Sequence, residues 1–117
     1  MEENIYEFYE IGDVNDLLPG ERLYLELDNN LIVIFNVDGE FFAIDDVCTH
    51  DNGPLGDGEL NGHHITCPRH GARFDIRTGK ALSLPAVKDI NTYPIRVVKG
   101  KLEIGVNRGY PISQIHS

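Results

Sequence analysis

The sequence predicts an all-β protein: one domain over residues 1–117, built as an antiparallel β-sandwich with a small loop-rich subdomain inserted at about residues 46–80. Three observations carry that prediction. Apolar and polar residues alternate with a period of two in Arg22 to Leu27 and again in Lys101 to Val106. The dipeptides Asp38-Gly39 and Lys99-Gly100 stand between apolar runs, where a hairpin needs a tight turn. No segment of helical period exceeds about two turns.

Taken in order, residues 4 to 10 place Ile5 and Phe8 among acidic and aromatic neighbours as a first strand. Asp13 is placed to cap a short turn containing Leu17 and Leu18, which Pro19-Gly20 ends. In Arg22 to Leu27, Leu23, Leu25 and Leu27 share one face, so the strand is half-buried. Asp28-Asn29-Asn30 turns it into Leu31 to Val37, a nearly continuous apolar run expected of a central strand covered on both sides. Glu40 to Asp45 follows, with Phe42 and Ile44 facing the core. Gly53, Pro54, Gly56, Gly58 and Gly62 then exclude a helix and let the backbone approach whatever the loops enclose. His63 to Cys67 reads as a short strand, Arg77-Thr78-Gly79 as a turn, and Tyr93 to Val98 with Lys101 to Val106 as the final strand pair. Beyond Asn107 the chain has little to bury and is expected to be loosely held.

At 25% charged and 41% hydrophobic residues, the composition is that of an ordinary soluble domain. The net charge of −9 comes from ten basic and nineteen acidic side chains. It argues against nucleic acid as a partner, since phosphate neutralisation needs clustered Lys and Arg, and favours solubility or steering toward basic docking patches. MEENIYEFYE has no basic region followed by an apolar run, and no stretch is long and apolar enough for a bilayer. No membrane association and a cytoplasmic location, where cysteines stay reduced, are therefore expected.

The stretch from Cys48 to Asp75 holds both cysteines and four of the five histidines. They stand as Cys48-Thr49-His50 and Cys67-Pro68-Arg69-His70, with sixteen residues between His50 and Cys67. Two such loops side by side offer two thiolates and two imidazoles. Zinc accepts that set, but structural zinc sites usually take a Cys pair from one knuckle and a His pair from another element. The mixed order suits a binuclear centre, with the thiolates on one iron and the imidazoles on the other. His63 and His64 lack a cysteine at ligand spacing, and one or both are expected to be solvated; His116 lies near the chain end. Asp75 is expected to hydrogen-bond within the subdomain, and Asp45, Asp46 and Asp51 to belong to the acidic surface. A nucleophile-base-orienter set and a phosphate-binding glycine loop are both missing.

On these residues the chain resembles the Rieske family, whose C-x-H and C-x-x-H pattern is met by Cys48, His50, Cys67 and His70, with Gly71 following. The resemblance implies one 2Fe-2S cluster ligated by those four residues, in a Rieske-like sandwich whose cluster-binding subdomain spans about 46–80. With every coordination position filled by protein, substrate has no open metal site, so the chain is expected to be an electron carrier and not an enzyme. Two ferric ions and two sulfides sum to +2, so two thiolates and two neutral imidazoles leave the oxidised centre neutral. That raises the potential above all-cysteine ferredoxins, to about −150 to +300 mV. High-potential relatives add a disulfide between the loops, where this chain has Pro54 or a neighbour and Arg69, and hydroxyl donors where it has Ala72 and Phe74. Their absence predicts a potential near the bottom of the range. The resemblance is to soluble, low-potential ferredoxins of ring-hydroxylating dioxygenase systems, which implies a flavin-dependent NAD(P)H ferredoxin reductase and a terminal non-haem iron oxygenase as partners, and a monomer. Leu84-Pro85-Ala86 would be the loop that shields the cluster. The alternatives are a small Rieske-like subunit of a nitrite reductase complex, a group whose members commonly lack the ligands, and a zinc-binding interaction module.

Overall fold

The computed structural model describes residues 5–49 and 51–108. Its strands are β1 (Tyr6–Asp13), β2 (Arg22–Leu27), β3 (Asn30–Val37), β4 (Glu40–Asp45), β5 (Glu59–Asn61), β6 (His64–Thr66), β7 (Arg73–Asp75), β8 (Thr92–Tyr93), β9 (Ile95–Val98) and β10 (Lys101–Asn107). They form three antiparallel sheets in the orders β1-β10-β9, β2-β3-β4-β8 and β5-β6-β7. Among the described residues a single 3-10 turn, Val14–Asp16, interrupts the strands after β1. Asp13 caps it, its carboxylate accepting from the Asn15 N–H at 2.9 Å while the Asp16 side chain accepts from the Asp13 N–H at 3.0 Å, but the turn ends before Leu17 and Leu18, which it was expected to contain.

The apolar run of β3 organises the layers. Ile32 and Ile34, with Ala43 of β4, pack against Leu17 and against Leu102 and Ile104 of β10. Val33 and Phe35, with Ile44, point the other way, onto Cys48, Leu55, Ile65, Cys67 and Phe74. The sheet β2-β3-β4-β8 is thus a middle layer with a core on each face, because successive strand residues point to opposite sides. Each such side chain fully buried contributes about 1.5–3 kcal/mol. The inserted subdomain roofs one face of this sheet, and both cysteines lie in the core it shares with β3 and β4.

Three expectations change. The first strand runs on to Asp13, because pairing with β10 resumes after a bulge between Glu10 and Gly12, with Gly12 opposite Leu102 and Asp13 opposite Lys101. Tyr93 to Val98 is two strands. Thr92–Tyr93 pairs with β4 and Ile95–Val98 with β10, and Pro94 between them has no N–H to continue a ladder. Val97 and Val98 are accordingly exposed on an edge strand. Within the insert, His64–Thr66 is joined by Glu59–Asn61 and Arg73–Asp75 into a small sheet, with Leu60 opposite Ile65 and Ile65 opposite Phe74. Of the residues beyond Asn107, Arg108 is described and is held, its side chain donating to Glu7 at 2.8 Å and Asp28 at 2.6 Å. The expectation of a loose ending otherwise falls on residues 109–117, His116 among them, which lie outside the described residues.

Candidate metal centre

Both cysteines follow strands of the core they share. Cys48 lies just past β4, and Cys67 is the first residue after β6. From each the backbone turns in the same way. The Cys48 N–H donates to Gly53 O at 2.8 Å and the Asn52 N–H returns to Cys48 O at 2.7 Å. The Cys67 N–H donates to Ala72 O at 2.7 Å and the Gly71 N–H returns to Cys67 O at 3.0 Å. The fifth residue of each turn has a positive φ, 61° at Asn52 and 78° at Gly71, a conformation that asparagine and glycine tolerate best. In their described residues the two turns therefore correspond, with His70 at the place of Asp51.

The turns bring the sulfurs together. The Sγ atoms of Cys48 and Cys67 and a carboxylate oxygen of Asp51 all lie within 4.8 Å of one another. Both cysteines are buried, 0% and 1% exposed, and neither is in a disulfide. Burial pushes the Cys67 thiol up, but the backbone N–H groups of Arg69 and His70, the Cys48 side chain and the Arg69 charge outweigh it. The thiol ionises below its ordinary value, which is the state a metal ligand needs. His70 is exposed at 52% of its side chain, with Nδ1 3.4 Å from Asp51 Oδ2. His50, the remaining expected ligand, lies outside the described residues.

Asp51 stands among the potential ligands, yet its oxygens already have partners. Arg69 Nε donates to Oδ2 at 2.6 Å, Arg69 Nη2 to Oδ1 at 2.9 Å, and the Gly53 N–H to Oδ1 at 2.9 Å. The Arg69 bond, first among these, holds the Asp51 carboxyl well below the usual carboxylate range. Asp51 is thus a link between the loops and not the open acidic surface residue expected. Asp46 is likewise an anchor, its Oδ1 accepting from the Leu55 N–H at 2.9 Å and the Gly56 N–H at 2.6 Å. Asp45 accepts from Asn91 at 2.9 Å and from the Tyr93 hydroxyl. From the middle sheet, Arg22 Nη1 donates to Gly56 O and, at 2.7 Å, to Gly58 O, and the Tyr24 hydroxyl donates to Asp57 at 2.6 Å. Asp75 pairs with Arg77 at 2.9 Å within the insert, as expected.

His63 and His64 are half-buried. His63 packs edge-on to Phe42 at 5.4 Å between ring centres. Of Leu84-Pro85-Ala86, Ala86 joins the core that holds both cysteines while Leu84 is 77% exposed, and the first loop is tied just beyond the segment, where Thr49 Oγ1 donates to Lys88 O at 2.5 Å. The sequence reading missed Asp46, Asp51, Arg69 and Arg22 as parts of the site. Aligning CTHDNG on CPRHGA as two copies of one turn would have placed Asp51 and Arg69 at its tip.

Comparison with known proteins bears on the same segment. A model of the Rieske [2Fe-2S] domain matches residues 7–94. The chain belongs to this family. Among similar Rieske proteins are the ferredoxin component of the naphthalene 1,2-dioxygenase system of Pseudomonas putida, 39% identical over 84 residues (72% of this chain, 81% of that one), and the 3-phenylpropionate/cinnamic acid dioxygenase ferredoxin subunit of Escherichia coli K12, 40% identical over 99 residues (84% and 92%). In a solved complex of reduced oxygenase and oxidised ferredoxin in carbazole 1,9a-dioxygenase, one chain shares the fold at a TM-score of 0.79 and 25% identity, covering 89% of this chain and 97% of that one. The residues present fit a Rieske cluster. Two buried thiols lie within 4.8 Å of each other, N–H groups are aimed at one sulfur, and an imidazole stands at the surface. Among the described residues no helix is long and apolar enough to cross a membrane.

Proposed function

We propose that this chain is an electron carrier whose Rieske-type [2Fe-2S] cluster is held by Cys48, Cys67, His50 and His70, and that it passes single electrons from a flavin-dependent NAD(P)H reductase to a terminal non-haem iron oxygenase of the ring-hydroxylating kind. The observation that carries the reading is the pair of buried thiols with an exposed imidazole on the neighbouring turn. Bound between the loops, the cluster supplies a one-electron couple.

This chain's own residues do the rest. Cys48 and Cys67 sit in the core under Val33, Phe35 and Ile44, which keeps water from the sulfur side. N–H groups directed at sulfur favour its anionic form. The His70 edge faces solvent and gives a short path to a partner's cofactor. The net charge of −9 would draw the chain to a basic docking surface. Relatives of similar length are named ferredoxin components of aromatic dioxygenase systems, and a solved ferredoxin of this fold is in complex with its oxygenase. A cytoplasmic monomer is the form most compatible with a carrier that presents one exposed edge to two partners in turn.

The test is low-temperature EPR before and after dithionite, with iron and acid-labile sulfide analysis, followed by mixing the reduced protein with an oxidised ring-hydroxylating oxygenase. A silent sample that gains a rhombic signal, and loses it when the oxygenase is added, is the expected result. Stoichiometric zinc without sulfide would overturn the reading.

A further inference from the structure

The tips of the two ligand loops are joined by one side chain. All three guanidinium nitrogens of Arg69, on the second loop, donate to the first: Nε to Asp51 Oδ2 at 2.6 Å, Nη2 to Asp51 Oδ1 at 2.9 Å, and Nη1 to Pro54 O at 2.7 Å. The bonds to Asp51 form the bidentate fork that makes arginine-carboxylate pairs both strong and directional.

Position 53 bears out the fit independently. A Cβ there would lie 2.7 Å from Arg69 Cζ and Nη2 and 2.9 Å from Nε, and Gly53 does not have a left-handed φ. The glycine is needed for the guanidinium and not for the backbone. The pair also sits against the sulfurs. The Asp51 carboxylate is within 4.8 Å of both Sγ atoms.

We infer that Arg69 and Asp51 are a pair of positioning residues that clamps the two loops around the cluster and acts on its potential with opposite signs. The inference rests on the electron-carrier reading. One added electron makes the centre more negative, so the Arg69 cation stabilises the reduced state and the Asp51 carboxylate opposes it. Removing either breaks the same clamp, so both losses shorten cluster retention. The effects on potential diverge. The Arg69 and Asp51 side chains are 34% and 21% exposed, so salt moderates these effects without abolishing them.

The experiment compares wild-type protein with Arg69→Gln, Asp51→Asn and Gly53→Ala by the rate of visible-absorbance loss under chelator and by film voltammetry. All three variants are expected to lose cluster about tenfold faster. Arg69→Gln should shift the reduction equilibrium about tenfold toward the oxidised state, a fall of about 59 mV for one electron, and Asp51→Asn should shift it upward. Gly53→Ala keeps every charge and ligand but pushes the guanidinium away from Asp51, so it should reproduce the faster loss by itself. Arg69→Lys, which keeps the charge without the fork, should rescue the potential but not the retention. Potential shifts of the same sign in Arg69→Gln and Asp51→Asn, or wild-type retention in Gly53→Ala, would overturn the clamp. If Arg69→Gln holds no cluster, Gly53→Ala and Asp51→Asn decide by the same two readouts. A wild-type protein without a reducible cluster overturns the carrier reading and the clamp together, while a normal wild type with unshifted variants overturns the clamp alone.

Discussion

Replacing Asp46 with alanine tests how the first ligand loop is held. Its Oδ1 accepts two backbone bonds, from Leu55 at 2.9 Å and Gly56 at 2.6 Å, and Leu55 is fully buried in the core that contains both cysteines. A hydrogen bond to a charged group is worth about 1.5–3 kcal/mol. Asp46 is only partly buried, so water can replace some of what is lost, and about 3 kcal/mol is expected for the two bonds together. At about 2.1 cal/mol/K per residue, the unfolding entropy of 117 residues is about 0.25 kcal/mol/K, so the melting temperature should fall by about 12 °C. Asp46→Asn keeps an oxygen acceptor but loses the charge, and neutral bonds are about half as strong, so a fall of about 6 °C is expected. Calorimetry on the cluster-loaded proteins, with visible absorbance followed in parallel, reads both. A loss below about 3 °C in Asp46→Ala, or equal losses in the two variants, would mean that the turn is held by other groups.

Cys67→Ser removes a buried thiol proposed as a cluster ligand and should abolish cluster assembly in iron and sulfide analysis, whereas a fully loaded variant would refute the ligand assignment. Ala72→Ser with Phe74→Tyr places hydroxyls at two fully buried positions in the core shared with Cys67. If each reaches a sulfur and is about 1 kcal/mol stronger in the reduced state, voltammetry should show a rise of about 40 mV per bond, and no rise would show that they point elsewhere. The Asp75 carboxyl is held below its ordinary value by its bonds with Arg77. A lowered folded pKa gives stability that is complete above the unfolded value near 3.9 and is lost as pH falls through the folded value. Asp75→Asn should therefore be less stable at neutral pH and lose less of what remains between roughly pH 5 and 2, as thermal melts across that range would read.

The layered fold was legible where one residue decides a local choice. Asp38 and Gly39 both have the positive φ that a two-residue hairpin demands, and the nearly continuous apolar run of β3 implied cover on both faces. Short elements were not legible. Glu59–Asn61 and Arg73–Asp75 are three residues each, too few for a period to show, and they form strands because β6 lies between them. Pro94 was visible in the sequence, but that it hands the chain from one sheet to another depends on the places of β4 and β10. For the site, Cys48, Cys67 and His70 were readable from spacing. The roles of Asp46 and Asp51 were not, because a carboxylate that accepts backbone N–H groups in a turn has the same local sequence as one facing water.

The unequal spacing of the two motifs has an account in the paired turns. If both loops share one backbone path, a histidine at the same place in each would put like groups at both tips. Instead the chain reads His50 then Asp51 in the first loop, and Arg69 then His70 in the second. The one-residue offset of the imidazoles leaves a carboxylate on one tip and a guanidinium on the other, at the distance where they pair. A chain with two cysteines, both proposed as ligands, has none left for a covalent link between loops. An ion pair forms without an oxidant and without a third and fourth thiol, so it suits a compartment that keeps cysteines reduced. Its strength depends on salt where a disulfide's does not. Cluster retention in the wild-type protein should therefore decline as ionic strength rises, and more steeply than in Gly53→Ala, where the pair is already parted.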